Sequence, residues 1–303
     1  MFGLKTKNKP IEEAPALTEK ELESEEQVVD QIEEQADEQQ TEEIVQPVVI
    51  QQEPQTDKFS LAGLLGKTES GMKTEFYAYQ IKEFMQSVGK VMLKNRITKE
   101  ELDKAYNDLI KYGGNEISIS PYMYRACKQI EEKYGIGKIK FSTIVDYPRG
   151  ESSFKARVAD VREGVKHGLD LITVVVPVNA FSMGSLSEEK LKLSKICKIR
   201  KGKVGVAVGV DYQPEEFKKI VKMLDGIKCS HVALLCENVD ISKIVDAVRM
   251  LIDRKIDKKI FVYTSISTLN DLSRLVELKV DKVYTNQFEN IGQELEKKFD
   301  VQL

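Results

Sequence analysis

The sequence predicts an α/β protein, a (β/α)8 TIM barrel preceded by a disordered, acidic N-terminal arm. Short apolar runs alternate with amphipathic helical patterns from about residue 89 onward, and there are eight such runs. The rival is an open doubly wound sheet, which would need a Gly-rich turn after the first strand, and LKNRIT at 93–98 has no glycine. The first 60 residues differ, because they hold 5 lysines against 16 aspartates and glutamates.

The arm is predicted to cover residues 1–58. It is rich in Glu and Gln and contains four prolines, so it buries too little apolar surface to offset the entropy lost on ordering. Residues 10–58, which include the apolar stretch IVQPVVI at 44–50, are a candidate contact for a protein partner. Simple solvation of the charges is the alternative. We expect no membrane contact through Phe2 and Leu4, because so short a stretch buries little area.

The rest of the chain divides into a helical lead-in at 59–88, with a helix near 74–88, and the barrel at 89–303. The predicted strands are 89–93, 115–119, 138–145, 170–176, 203–208, 230–235, 259–263 and 281–285. The predicted helices are 98–111, 121–133, 153–167, 187–198, 214–225, 241–254 and 268–277. Thr98 and Glu101 have the spacing of a capping box, and Pro214 stands where a helix begins.

Composition excludes several classes of protein. The four cysteines show no CxxC spacing, so we expect buried, reduced thiols of a cytoplasmic protein and neither a disulfide frame nor a metal site. No run of about 18 apolar residues is present, which argues against a membrane span. Residues 61–303 carry 41 basic and 33 acidic side chains, but these are scattered without interleaved aromatic residues, so we expect no nucleic-acid partner. No cofactor is expected, and a homo-oligomer is compatible with the sequence.

Several stretches resemble the deoxyribose-phosphate aldolase family of class I aldolases. MLKNRITKEELDKAYNDLIKYGGNEISISPYMYRACKQI at 92–130 is similar to that family's opening, and the segment 138–177 is similar to its third and fourth strands, including the turn with Pro148 and Gly150. LVELKVDKVYTNQ at 275–287 has the shape of the last helix and strand. The resemblance covers about residues 88–290, in spacing more than in identity, and it implies a lyase fold.

The resemblance also implies where catalytic groups would stand. In that family a lysine of the sixth strand forms a Schiff base with an aldehyde, a lysine of the seventh strand lowers the pKa of the first, and an aspartate of the fourth strand transfers protons. At the matching positions this chain has Ala233, Tyr263 and Thr173. The glycines that close on the substrate phosphate are also replaced, by TSISTLND and TNQFEN. We therefore predict no catalytic residue at these positions.

Other polar residues fall near the carboxyl ends of predicted strands. The candidates for a pocket, beside Thr173, Ala233 and Tyr263, are Asp146, Arg149, Ser118, Thr264, Ser265 and Asn286. Asp146 with Arg149 is the best charged pair for such a pocket. The alternative is that these groups only cap helices and satisfy turn amides, and that Asp146 supports the turn at 148–150.

Two functions follow. The first is a degenerate, non-catalytic aldolase-type barrel, a pseudoenzyme that serves as a binding or scaffold module. The second is a lyase that acts on a small phosphorylated ligand such as deoxyribose 5-phosphate with relocated catalytic groups. The fold alone does not decide between them, and the missing lysines favour the first.

Overall fold

The computed structural model describes residues 74–93, 96–135 and 139–303. These residues form a closed barrel of eight parallel strands in sequential order, β1 to β8, with β1 paired to β8. A helix follows each strand, so the predicted (β/α)8 fold is confirmed. The predicted arm and the first part of the lead-in lie outside the described residues.

The strands are β1 (Val88–Met92), β2 (Glu116–Ile119), β3 (Lys140–Val145), β4 (Leu171–Val175), β5 (Val204–Gly209), β6 (His231–Cys236), β7 (Lys259–Thr264) and β8 (Lys282–Thr285). The helices are α1 (Thr74–Met85), α2 (Lys99–Tyr112), α3 (Tyr124–Tyr134), α4 (Phe154–Lys166), α5 (Leu186–Lys198), α6 (Pro214–Asp225), α7 (Ile241–Asp253), α8 (Leu269–Glu277) and α9 (Phe288–Phe299). Short 3₁₀ turns occupy Pro121–Met123 and Val178–Ala180.

The helix ends follow local chemistry. Thr98 caps α2, since its hydroxyl accepts from the Glu101 amide while the Glu101 carboxylate accepts from the Thr98 amide. Pro214 opens α6 as predicted. The predicted helix at 121–133 instead starts with the 3₁₀ turn at Pro121, and α3 begins at Tyr124.

The core has two layers, because each strand is buried on both faces. β4 illustrates this arrangement: Ile172 and Val174 pack outward against the helices, while Leu171 and Val175 face the barrel interior. The apolar interior layer consists of Ile144, Val175, Ala207, Ala233, Phe261, Tyr263 and Tyr284. The carboxyl ends of the strands and the loops after them form one end of the barrel, where the site lies.

Candidate functional site

A cavity of about 1090 Å³ opens at the carboxyl ends of the strands; we call it the upper cavity. Its polar lining consists of Ser120, Tyr122, Asp146, Tyr147, Ser152, Asp160, Glu237, Tyr263, Thr264, Ser265 and Asn286. Three of these are carboxylates, and no lysine or arginine is found among the described residues that line it. The cavity is therefore rich in hydroxyl groups and negative in charge.

One hydrogen bond crosses the cavity mouth. Tyr147, in the loop after β3, donates to the Glu237 carboxylate after β6 at 2.5 Å. Burial, followed by this bond, raises the pKa of Tyr147, so the phenol keeps its proton at neutral pH. Burial also raises the pKa of Asp160, and the nearby Asp146 carboxylate adds to that shift. The negative charges of the carboxylates in this cavity therefore repel one another.

Asp146 and Arg149, the predicted charged pair, have separate partners in the structure. Asp146 lines the cavity, but its carboxylate accepts from the Ser152 amide and hydroxyl, both at 2.8 Å. It has a positive φ of 63° and supports the turn that ends at Gly150, which was the alternative interpretation. The Arg149 side chain is 65% exposed and lies 3.6 Å from Glu151 instead of in the cavity.

The other predicted residues divide between the cavity and the barrel beneath it. Tyr263, Thr264, Ser265 and Asn286 line the cavity. Ser118, Thr173 and Ala233 are fully buried inside the barrel and do not line it.

Tyr263 connects the two regions. Burial, followed by the charge of Glu116, raises the pKa of its phenol, whereas the hydroxyls of Ser118, Ser142 and Thr173 act to lower it. The balance is a neutral phenol at the cavity floor.

Thr173 is bonded to a histidine inside the barrel. Its hydroxyl lies 2.7 Å from Nε2 of His231, and Nδ1 of the same ring lies 2.8 Å from the hydroxyl of Ser230. Burial, with a smaller effect of the Lys259 charge, lowers the pKa of His231 to about 3. Gly205 makes room for the ring, since a Cβ there would collide with the imidazole. Nothing in the sequence pattern indicates that Thr173 and His231 are partners.

A buried ion pair at the strand-start end of the barrel was missed. The Lys282 amine, on the first residue of β8, donates to Glu116 at 2.8 Å and to Asn115 at 2.9 Å. The Tyr284 hydroxyl donates to the other oxygen of Glu116. Burial lowers the pKa of Lys282, although Glu116 opposes the shift. Opposite charges at the starts of two predicted strands were the available signal, but charged residues at strand ends are usually solvated.

Of the four cysteines, Cys236 lines the upper cavity. Cys127, Cys197 and Cys236 are buried as predicted, while Cys229 is half-buried. Burial raises the pKa of Cys197 to about 12. Among the described residues no group of three or more His, Cys, Asp or Glu side chains is placed to hold a metal ion. No helix in the described part of the chain is long and apolar enough to cross a membrane.

Curated proteins named deoxyribose-phosphate aldolase are similar to this chain. The protein of Caldicellulosiruptor saccharolyticus is 25% identical over 186 residues, which cover 61% of this chain and 71% of the relative. The protein of Mycoplasmoides gallisepticum is 24% identical over 223 residues, covering 71% and 96%. A comparison with protein-family models found no match.

Solved aldolase structures share the fold. A structure described as QR15, an aldolase, has a TM-score of 0.61 at 16% identity and covers 71% of this chain and 96% of its own. The tetrameric deoxyribose phosphate aldolase of Aeropyrum pernix has a TM-score of 0.60 at 14% identity, covering 76% and 100%. The chain is thus a (β/α)8 barrel similar to the barrel of deoxyribose-phosphate aldolases, as its motifs predict.

Proposed function

We propose that the upper cavity binds a small, unphosphorylated polyhydroxy carbonyl compound, such as a free sugar, and that its described lining residues form no Schiff base with the ligand. The observation that carries this proposal is the lining itself. Three carboxylates, three tyrosines, several hydroxyls and one amide surround the cavity, with no lysine or arginine among the described lining residues. Binding without cleavage is the first candidate function.

The lining suits a neutral hydroxylated ligand. Asp160 and Glu237 offer acceptors to sugar hydroxyls, Asn286 offers both a donor and an acceptor, and tyrosine rings cover apolar sugar faces. A phosphate dianion would meet carboxylates without a compensating cation from the described lining, and like charges in a partly dry cavity repel strongly. The lining therefore disfavours the phosphorylated ligand that the family resemblance implies.

Imine chemistry needs an amine that can reach the carbonyl carbon. Lys282 is the only lysine among the described residues that is buried in the barrel, and its amine is bonded to Glu116 and Asn115 at the strand-start end. That end is opposite the cavity, so Lys282 is not a relocated nucleophile for a ligand bound there. This distribution supports binding over cleavage.

The second candidate is an aldolase-type lyase that cleaves deoxyribose 5-phosphate. The relatives support it, since the two aldolases described above are 25% and 24% identical to this chain. This function requires a lysine from outside the described lining. Lys94, which is not among the described residues, is one candidate.

Reductive trapping separates the two candidates. The full chain would be incubated with 2-deoxyribose or deoxyribose 5-phosphate and treated with borohydride, and its intact mass would be measured by mass spectrometry. Released acetaldehyde would be measured in parallel. We expect no adduct, no acetaldehyde, and a rise of melting temperature with 2-deoxyribose alone. A substrate-dependent adduct on one lysine, with acetaldehyde release, would establish the lyase and identify its nucleophile.

A pair of glutamate variants localises the binding. Glu237→Gln should weaken 2-deoxyribose binding by about tenfold, because a charged acceptor typically contributes more than a neutral one. Glu163→Gln is the control, since Glu163 lies on α4 beside His167 and outside the cavity lining. Equal affinities for both variants would place the ligand elsewhere.

A further inference from the structure

Two side chains meet across the mouth of the upper cavity. Tyr147 lies in the loop after β3 and Glu237 in the loop after β6, and these strands are three positions apart in the closed barrel of eight. The Tyr147 hydroxyl donates to Oε2 of Glu237 at 2.5 Å, and both residues line the cavity. We call this hydrogen-bonded pair the bridge. Because the bridge spans the mouth, it divides the opening through which a ligand enters.

The backbone that carries Tyr147 is held by several contacts. The Asp146 carboxylate accepts from the amide and the hydroxyl of Ser152, both at 2.8 Å. The Gly150 amide donates to the Asp146 carbonyl at 2.8 Å, and a Cβ at Gly150 would lie only 2.8 Å from backbone atoms at the end of β4. The turn is therefore packed closely against β4, which restricts movement of the Tyr147 backbone.

The backbone that carries Glu237 is a short connection. Residues 237–240 join the last residue of β6 to the first residue of α7. Asn238 in this connection has a positive φ of 57°, and Asp240 caps α7 by accepting from the Ser242 amide at 2.8 Å. Since both turns are held in this way, the bridge opens by rotation of its two side chains.

The bridge leaves Glu237 available to a ligand. The phenol bonds one oxygen of the carboxylate, and an ionised carboxylate has about four acceptor positions on its two oxygens. Glu237 can therefore hold the bridge and accept from a ligand hydroxyl at the same time. A bond from a hydroxyl group to a carboxylate is among the stronger hydrogen bonds in proteins, so the closed bridge is the favoured state of the mouth.

The size of the cavity does not itself select a small ligand. Its volume of about 1090 Å³ lies just above the range of about 300–1,000 Å³ that is usual for pockets that hold drug-sized molecules. A free sugar the size of a pentose would fill only part of this space. Discrimination against a larger ligand of the same chemistry must therefore come from the mouth, where the bridge lies.

We propose that Tyr147 and Glu237 are specificity-determining residues, whose bridge admits a small sugar to the upper cavity and excludes one that carries a bulky substituent. This inference rests on the proposed function for the chemistry of the ligand. The narrowing of the mouth is a property of the free protein, so it can be measured without any sugar.

The first experiment measures access to the cavity in the full chain without a ligand. Ser265→Cys places a thiol among the lining residues, and it would be treated with methyl or benzyl methanethiosulfonate, two neutral reagents that differ in size. Intact mass spectrometry follows both rates, and the chain without this substitution gives the background of the four native cysteines. The ratio of the benzyl to the methyl rate cancels the intrinsic reactivity of the thiol. We expect Tyr147→Phe to raise this ratio by about tenfold, because it removes a hydrogen bond to a charged acceptor.

Two further variants test whether the bond itself is responsible. Adding Glu237→Gln to Tyr147→Phe should raise the ratio no further, because a phenyl ring cannot donate and the bond is already lost. Tyr212→Phe is the matched control, since it removes a bond between two other loops at the same end of the barrel, to the Val178 carbonyl at 3.1 Å, outside the cavity lining. An unchanged ratio in Tyr147→Phe, an additive rise in the double variant, or an equal rise in Tyr212→Phe would overturn the proposal.

The second experiment measures selectivity between two ligands by calorimetry. 2-Deoxyribose and 5-O-benzyl-2-deoxyribose share the carbonyl group, and only the second carries a bulky substituent. Tyr147→Phe should lower the ratio of the benzyl to the parent dissociation constant by about tenfold, because the larger sugar no longer has to break the bridge, and Tyr212→Phe should leave it unchanged. An unchanged ratio in Tyr147→Phe would contradict the proposal. If neither sugar binds the unmodified protein, the proposed function fails, and the reaction rates at residue 265 still decide whether the bridge limits access.

Discussion

At the scale of single residues, Thr173 matters because its hydroxyl is the partner of a buried imidazole. Thr173→Val keeps the volume and leaves His231 Nε2 without that partner, so we expect a loss of about 1–3 kcal/mol in the free energy of unfolding. Urea denaturation measures it, with Tyr79→Phe as a surface control. A loss below about 0.5 kcal/mol would mean that the bond in the native state is weak.

His231 also gives the protein a defined response to acid. Its pKa is lowered to about 3 in the folded protein, from the ordinary value of 6.5. Between these values the unfolded chain binds a proton that the folded chain does not, so stability increases with pH across the window and falls on acidification. The contribution is about 1.4 kcal/mol per pH unit.

The pH prediction is checked by difference, because many carboxylates titrate in the same range. His231→Gln retains a donor and an acceptor but binds no proton. The slope of unfolding free energy against pH between 4 and 6 should therefore be smaller in the variant by about 1.4 kcal/mol per pH unit. Identical slopes would show that the pKa of His231 is not lowered in the folded protein.

The sequence identified some site residues and missed others for a physical reason. Tyr263, Thr264, Ser265 and Asn286 stand at strand ends, and the barrel topology alone brings such positions to one cavity. The bond between Thr173 and His231 depends on the rotation of two side chains across the barrel, which periodicity does not encode. Arg149 does not line the cavity, since its exposed guanidinium lies 3.6 Å from Glu151.

At the scale of elements, most strands and helices were predicted within about two residues, since short continuous apolar runs mark the strands and an apolar period of 3.6 marks the helices. α9 was not assigned, and it starts after Gln287 without a side-chain cap. The register between neighbouring strands could not be predicted from the sequence either. This register points Glu116 of β2 and Lys282 of β8 into the barrel, where they meet although β1 lies between their strands.

The ion pair of Glu116 and Lys282 connects β2 to β8. Removing one charge should destabilise the protein more than removing both. Glu116→Gln leaves a buried ammonium without its carboxylate and should cost about 3–5 kcal/mol. The double variant with Lys282→Met removes both charges and should cost less than Glu116→Gln alone. Urea unfolding of the two single variants and the double variant completes the cycle. Additive losses would show that the pair is not coupled.

At the scale of the whole molecule, helix polarity and surface charge agree. Each helix between strands runs from the cavity end to the opposite end, so its positive dipole end lies near the cavity. Acidic residues occupy the first turns of α2, α5 and α6, and basic residues occupy the last turns of α2, α4 and α5. The acidic first-turn side chains therefore offset the positive dipole ends of these helices, and the basic last-turn side chains offset the negative ends.

The last prediction concerns the acidic arm, which lies outside the described residues. All eight strands fall between residues 88 and 285, and α1 brings its own core residues, Ile81, Phe84 and Met85. Tyr77 of α1 stacks on Phe299 of α9 with a centroid distance of 5.4 Å, so α1 packs against the last helix, and the barrel itself closes by the pairing of β1 with β8. A chain that starts near residue 70 should therefore melt within a few degrees of the full chain.

Differential scanning calorimetry of both chains, at two salt concentrations, tests this prediction. A chain that starts after β1 is the control; it loses the strand that pairs with both β2 and β8, and it should not melt cooperatively. The arm holds 16 acidic residues and the remainder of the chain is basic, so an electrostatic contact between them would be weakened by salt. If removal of the arm lowers the melting temperature by more than a few degrees, and salt abolishes that difference, the arm binds the barrel through charge. An unchanged melting temperature leaves residues 10–58 free to engage a partner.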